Sequence, residues 1–232
     1  MLEILYEDNH LIAINKVAGD LVQGDQTGDQ PLVEKVKTYI KKKYHKPGAI
    51  FLGVIHRLDR PTSGVVLFAR TSKALSRMNK QFNHRKTEKI YWAIVGLDIS
   101  PSNTSLTHWL KRNTKMNKSF AHDREIQESK KAVLHYKKIK ELDRYAVLEI
   151  RLETGRHHQI RCQLTHIGFP IKGDLKYGAS RSNKNKSINL HCRSICLLNT
   201  SYAADEEDSV DLGGRPSIKK KKGGGGGGGG GG

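Results

Sequence analysis

One string limits the fold of this chain more than any other. His56-Arg57-Leu58-Asp59-Arg60-Pro61-Thr62-Ser63-Gly64 separates two apolar runs, residues 50–55 and 65–69. Each run has the length of a buried strand. Pro61 and Gly64 turn the chain between them. The result is a strand–turn–strand unit with a single carboxylate, Asp59, flanked by Arg57 and Arg60. A carboxylate kept ionised by cations at the mouth of such a unit can act as a nucleophile or a base. The same residues also suit a surface turn closed by a local ion pair.

The rest of the chain alternates strand and helix signals. Residues 4–6 and 11–15 predict short strands joined through the polar Glu7-Asp8-Asn9. Pro31 is placed as the first residue of a helix in which Leu32, Val33, Val36 and Ile40 recur at helical spacing. Ser72 is placed to cap a second helix, whose Leu75, Met78 and Phe82 share a face. Residues 89–95 predict a strand stopped by Gly96, and residues 133–138 and 145–152 predict a strand pair. In the second of these, Ala146, Leu148, Ile150 and Leu152 alternate with Tyr145, Val147, Glu149 and Arg151. Residues 157–167 predict a helix that turns Ile160, Leu164 and Ile167 inward, and residues 188–198 predict a last strand. Residues 101–118 show no clear period. Strands outnumber helices and the helices come singly. That pattern predicts an α+β fold with a mixed, largely antiparallel central sheet flanked by helices.

Charge narrows the partner. The chain carries 41 basic and 23 acidic residues, a net charge of +18, and the four lysines at 219–222 supply only a small part of it. A surplus spread over a whole domain points to a polyanion, usually nucleic acid. A membrane is the competing surface, but no apolar run is long enough to span one and no basic amphipathic helix stands out. The first residues lack the layout of a secretion signal, which predicts a cytoplasmic location. Cys162, Cys192 and Cys196 are odd in number and predict reduced, mostly buried thiols. His157, His158, His166, His191 and Cys192 are metal-ligating types, but their spacing matches no zinc site, so no metal is expected.

Several strings together, in order along residues 4–198, resemble the RluA-type pseudouridine synthase family. The opening Tyr6-Glu7-Asp8-Asn9-His10-Leu11-Ile12-Ala13-Ile14-Asn15-Lys16 is similar to the family's first hairpin, with Val17 where the family usually has Pro. The Asp59 string follows. Lys89-Ile90-Tyr91-Trp92-Ala93-Ile94-Val95-Gly96 resembles the family's aromatic strand. Thr154-Gly155-Arg156-His157-His158-Gln159-Ile160-Arg161 and Pro170-Ile171-Lys172-Gly173-Asp174, with Tyr177-Gly178, resemble its second long signature.

The resemblance implies an isomerase that converts uridine to pseudouridine in structured RNA, ribosomal or transfer. It implies the pseudouridine synthase fold, with a central active-site cleft. The base must leave the sugar at nitrogen, rotate and reattach through carbon. No atom is gained or lost, so no redox cofactor or energy source is needed, and the resemblance also implies no metal. Asp59 is the implied catalytic carboxylate, either attacking the anomeric carbon or removing a neighbouring proton. Arg161 is its implied partner, opposing the effect of burial on the carboxylate. Tyr91 is the implied aromatic group that stacks on uracil and helps to remove the proton from carbon 5. His56, Arg57, Thr62, Arg156, Gln159 and Ile160 are implied substrate-binding residues, with Arg57 filling the space that a flipped uridine vacates. Lys41, Lys42, Lys43, Lys111 and Arg112 are candidate contacts to the RNA backbone. The alternative is a basic module that binds RNA without catalysis; the intact Asp59 string favours the enzyme.

The expected organisation is one catalytic domain over residues 1–200, standing alone, acting as a monomer and without an obligatory protein partner. The small RNA-binding head domain of some relatives is not expected before it. Target choice would then rest on segments such as 23–30, 101–118 and 180–187. Residues 201–232 run from an acidic stretch into lysines and glycines; such a tail is expected to be disordered or an artefact of homopolymeric tracts.

Overall fold

The computed structural model describes residues 2–197, together with the backbone of two short strands at 209–211 and 217–218. Among the described residues, one mixed sheet runs through the whole molecule. Its strands are β1 (Ile4–Glu7), β2 (Leu11–Lys16), β3 (Gly53–Val54), β4 (Ser63–Ala69), β5 (Thr87–Gly96), β6 (Asn103–Asn113), β7 (Lys118–His122), β8 (Lys130–Glu141), β9 (Tyr145–Leu152), β10 (Leu190–Leu197), β11 (Ser209–Asp211) and β12 (Ser217–Ile218). The helices are α1 (Leu32–Lys43), α2 (Ser72–Asn83) and α3 (Gln159–His166), with a 3-10 turn at Leu175–Tyr177. The path across the sheet is β1-β2-β4-β10-β5-β9-β8-β6-β7, with β3 on β4, β11 on β10 and β12 on β11. Only β4 and β10 pair in parallel; the other pairs are antiparallel. The expected α+β class and sheet type are the ones found.

The apolar patterns explain the centre. From Gly64 to Ala69 every residue of β4 is buried, as expected of a strand covered on both faces. In β9 the predicted alternation holds: Ala146, Leu148 and Ile150 are fully enclosed. The α1 residues Leu32, Val33, Val36 and Ile40 join the same core. Cys162 and Cys192 are buried free thiols and Cys196 is half-buried.

Some local expectations shift. Pro31 is extended and caps α1 rather than opening it; its carbonyl accepts from the Glu34 and Lys35 amides. Thr71, not Ser72, caps α2, its hydroxyl accepting the Ala74 amide at 3.1 Å. The strand expected over residues 50–55 shrinks to Gly53–Val54, because the His56 ring takes the Leu67 N–H that a longer ladder would use. The helix expected over residues 157–167 starts at Gln159, after His158 in a left-handed backbone conformation. Residues 103–113, within the stretch that shows no clear period, form β6. Two stretches of the tail, 209–211 and 217–218, pair as strands beyond β10. The lysine and glycine runs lie outside the described residues.

Gly64 sits where β4 meets β10. Its φ is +116°, and a Cβ there would lie 2.2 Å from the Cys192 carbonyl oxygen. Both the conformation and the approach require glycine. Gly64→Ala is therefore expected to cost about 3 kcal/mol. Urea denaturation checks this, and an unchanged midpoint would contradict it.

Candidate active site

The turn that carries Asp59 is pinned through its carbonyls. Gly19 N–H donates to the Arg60 oxygen at 2.8 Å and Ile188 N–H to the Pro61 oxygen at 3.1 Å. Lys16, 1% exposed, donates from Nζ to the carbonyls of Val17, Arg60 and Thr62 at 3.1, 3.1 and 2.6 Å. These bonds fix the loop from below, and the Thr62 amide closes it on the Asp59 carbonyl at 3.0 Å. A site on a loop becomes precise when its supports are locked in this way.

Lys16 makes a pH-dependent contribution. Burial pushes its amine down to about 8 from 10.5, and Asp20 and Asp59 offset only part of that. Between these values the unfolded chain holds a proton that the folded chain has lost. Stability from this residue therefore rises with pH across that window. Lys16→Met should remove the rise. At pH 7 it should also cost about 2 kcal/mol by removing the three hydrogen bonds that Nζ donates, one of them to the buried Thr62 carbonyl. Denaturation of both proteins at several pH values checks this, and parallel profiles would contradict it.

The partner of Asp59 comes from α3, a helix buried along residues 159–164 although half of them are polar. Arg161 donates from Nη1 to Asp59 Oδ2 at 2.9 Å. Its Nε and Nη2 donate to the two oxygens of Asp174 at 2.7 and 2.9 Å. Asp174 is 1% exposed. The guanidinium also lies over the Tyr177 ring, 4.9 Å from its centroid. Burial opposes its charge, but the two carboxylates outweigh that and raise its pKa. This two-sided fork holds one donor on Asp59 with almost no freedom.

Asp59 opens on a pocket of about 90 Å³. Leu58, Leu152, Ile160 and Leu190 form its apolar wall, and Arg57, Thr62, Tyr91, Arg156, His158 and Gln159 also line it. Tyr91 reaches it from β5. Burial, reinforced by the neighbouring Cys192 thiol, raises the phenol well above its ordinary value, so it keeps its proton.

Most of the residues singled out in the sequence converge here, but not all take the expected part. Gln159 spends its polar atoms on the fold: its amide oxygen accepts from Thr154 Oγ1 and the Arg156 N–H, and its nitrogen donates to the Val133 carbonyl. Thr62 Oγ1 is buried without a partner among the described residues. His56 lines a separate, larger cleft of about 690 Å³ instead. Its Nε2 accepts the Leu67 N–H at 3.1 Å, its ring stacks on Phe82, and burial pushes its pKa down to about 3. That makes it a strut of the sheet. Arg57 is exposed and lines both cavities. Lys43 is engaged with Glu7 at 2.7 Å and Lys111 with Glu128 at 3.0 Å, whereas Lys41, Lys42 and Arg112 are exposed.

Asp174, Tyr177 and Lys16 stand in the sequence strings without roles, and His158 stands there only as a metal-ligating type. Their signal was residue type: an Asp, a Lys and a Tyr inside long specific strings with no surface reason to be there. The histidines and cysteine considered for zinc do not gather. Among the described residues, ligand-like spacing occurs only at His108, Asp123 and His166. There His108 Nδ1 lies 3.0 Å from Gln163 Nε2, and His166 Nε2 lies 2.8 Å from Asp123 Oδ1.

Comparison with known proteins places the chain in a family. The family model described as RNA pseudouridylate synthase matches residues 10–166. "tRNA pseudouridine synthase C" of Pectobacterium carotovorum subsp. carotovorum is 30% identical over 93% of this chain and 57% of its own length. "Ribosomal large subunit pseudouridine synthase D" of Pseudomonas aeruginosa is 33% identical over 76% of this chain and 53% of its own length. The chain thus spans little more than half of either relative. The solved structure of "Human RNA Pseudouridylate Synthase Domain Containing 1" shares the fold at a TM-score of 0.72 and 19% identity, covering 96% of this chain and 91% of that one. The chain belongs to the RNA pseudouridylate synthase family, of RluA type. Among the described residues, no helix is long and apolar enough to cross a membrane.

Proposed function

We propose that this protein isomerises uridine to pseudouridine in structured RNA, with Asp59 as the reacting carboxylate. The observation that carries this reading is the Asp59–Arg161–Asp174 relay at the head of a small pocket. The target uridine leaves its stack and enters that pocket base first, which brings its ribose to Asp59, and Arg57 occupies the space it leaves. Asp59 then acts at the sugar, by attack on the anomeric carbon or by removal of the neighbouring proton. Either way the bond from C1′ to N1 breaks. The detached uracil turns against an apolar wall that offers no directional bonds to hold it back. Tyr91 stacks on it as a neutral phenol. Reattachment through C5 forms the new bond, and the hydrogen on C5 leaves as a proton. Nothing is consumed, so no redox cofactor or energy source is needed.

In this reading the catalytic unit is residues 1–200, acting as a monomer in the cytoplasm. The substrate is ribosomal or transfer RNA, the two classes named for its relatives. Exposed Lys41, Lys42 and Arg112 contribute salt-dependent contacts to the phosphates. The test uses unmodified ribosomal and transfer RNA transcripts carrying tritium on uridine C5. Tritium should be released into water in step with pseudouridine formation, and binding without release would favour the non-catalytic module.

A further inference from the structure

The isomerisation outlined above makes no use of His158, yet its ring is the second group on Asp59. His158 Nε2 lies 3.6 Å from Asp59 Oδ2, the oxygen that Arg161 already holds. The residue is the N-cap of α3 with φ +53° and ψ 28°, a left-handed conformation that is uncommon for a residue with a side chain. It makes no capping bond with that side chain. Strained conformations of this kind persist where the surroundings enforce them, and they cluster at functional sites.

The surroundings also decide where its hydrogen sits. Tyr177 Oη accepts the Ser119 backbone N–H at 2.8 Å, and a backbone amide can only donate. Tyr177 is 2% exposed, so its own hydrogen needs a buried acceptor. His158 Nδ1 lies 3.0 Å away. Burial pushes the His158 pKa down to about 3, and Asp59 offsets only part of this, so the ring is neutral and carries one hydrogen. With Nδ1 accepting from Tyr177, that hydrogen is on Nε2, facing Asp59. The His157 ring stacks on it at 3.8 Å and keeps its plane fixed.

We propose that His158 is a positioning residue for Asp59: Tyr177 sets its tautomer, so that Nε2–H and Arg161 Nη1 share Oδ2 and present Oδ1 to the ribose. The contact at 3.6 Å is longer than a hydrogen bond and closes when the nucleoside fills the pocket. The proposal rests on the reading of Asp59 as the reacting group, but its first test needs no activity. In the full chain labelled with nitrogen-15, long-range imidazole spectra should show His158 as the neutral Nε2–H tautomer from pH 8 to pH 5. The resonance is assigned by its loss in His158→Gln. An Nδ1–H tautomer or an imidazolium in that range would overturn the proposal even if the protein proves to be the isomerase.

A second arm reads catalysis. Tyr177→Phe should scramble the tautomer and lower kcat roughly 10- to 100-fold, the worth of a hydrogen bond to a charged group, while KM changes little. His158→Gln, which can still offer an N–H, should keep more activity than His158→Phe. Equal activity of wild type and His158→Phe would overturn the proposal while leaving the isomerase reading intact. Absence of activity in the wild type would sink that reading and leave the tautomer result standing by itself.

Discussion

Asp59→Asn is expected to lower single-turnover pseudouridine formation at least about 1,000-fold, the scale seen when a reacting group is removed. The substitution keeps the shape of the side chain, and its amide oxygen can still accept from Arg161 Nη1, now at 2.9 Å from Oδ2. What it removes is the negative charge that must act at the ribose. The pinned turn should hold its place, because Lys16, Gly19 and Ile188 grip backbone carbonyls and not the side chain. RNA affinity should therefore stay within about threefold, since phosphate contacts dominate it. Filter binding and single-turnover assays on the same protein separate the two effects. Turnover that survives the substitution would remove Asp59 from the reaction. Equal loss of binding and turnover would point to a disrupted loop instead.

The second large effect is expected at a residue that never touches the pocket. Asp174→Ala leaves Arg161 buried with one carboxylate where it had two, and removes hydrogen bonds of 2.7 and 2.9 Å. Breaking a buried ion pair from one side costs about 3–5 kcal/mol, because the remaining charge is stranded away from water. Such a loss consumes much of the stability of a domain this size. Activity should fall as well, since Nη1 is aimed at Asp59 only while the other edge of the guanidinium is clamped. Asp174→Asn offers one acceptor of the original two; it should recover part of the stability and less of the activity. Denaturation curves for the three proteins check the order. A wild-type midpoint for Asp174→Ala would mean that the pair contributes nothing to the fold.

The sequence makes parts of this arrangement legible for physical reasons. The apolar runs around Asp59, the period of β9 and the spacing in α1 are burial patterns, and burial is what residue type reports most directly. The Asp59 turn was visible because Pro61 fixes its own φ and Gly64 permits a backbone conformation that other residues avoid. β6 was not visible, because its pattern is inverted. Thr104, Leu106, His108 and Leu110 are its more enclosed positions, while Trp109 lies on the other face, so polarity and burial no longer alternate together. α3 hid its character in the same way. Gln159, Arg161 and Gln163 are polar types with no apolar pattern to mark them as core, yet all three are buried, with partners on β8, β6 and the loop at Asp174. Lys16 reads as the charged end of a hairpin until the three carbonyls around it are seen. Pairing across 102 residues, as between Asp59 and Arg161, leaves no trace in local periodicity. Only the family resemblance put those two residues together in advance.

Base-resolution mapping of pseudouridine in total RNA, from cells with the gene, without it, and without it but carrying a plasmid copy, tests the central claim most directly. At least one ribosomal or transfer RNA uridine should lose its modification on deletion. It should regain the modification with the wild-type copy and stay unmodified with Asp59→Asn. Identical maps with and without the gene, or full restoration by Asp59→Asn, would contradict the account.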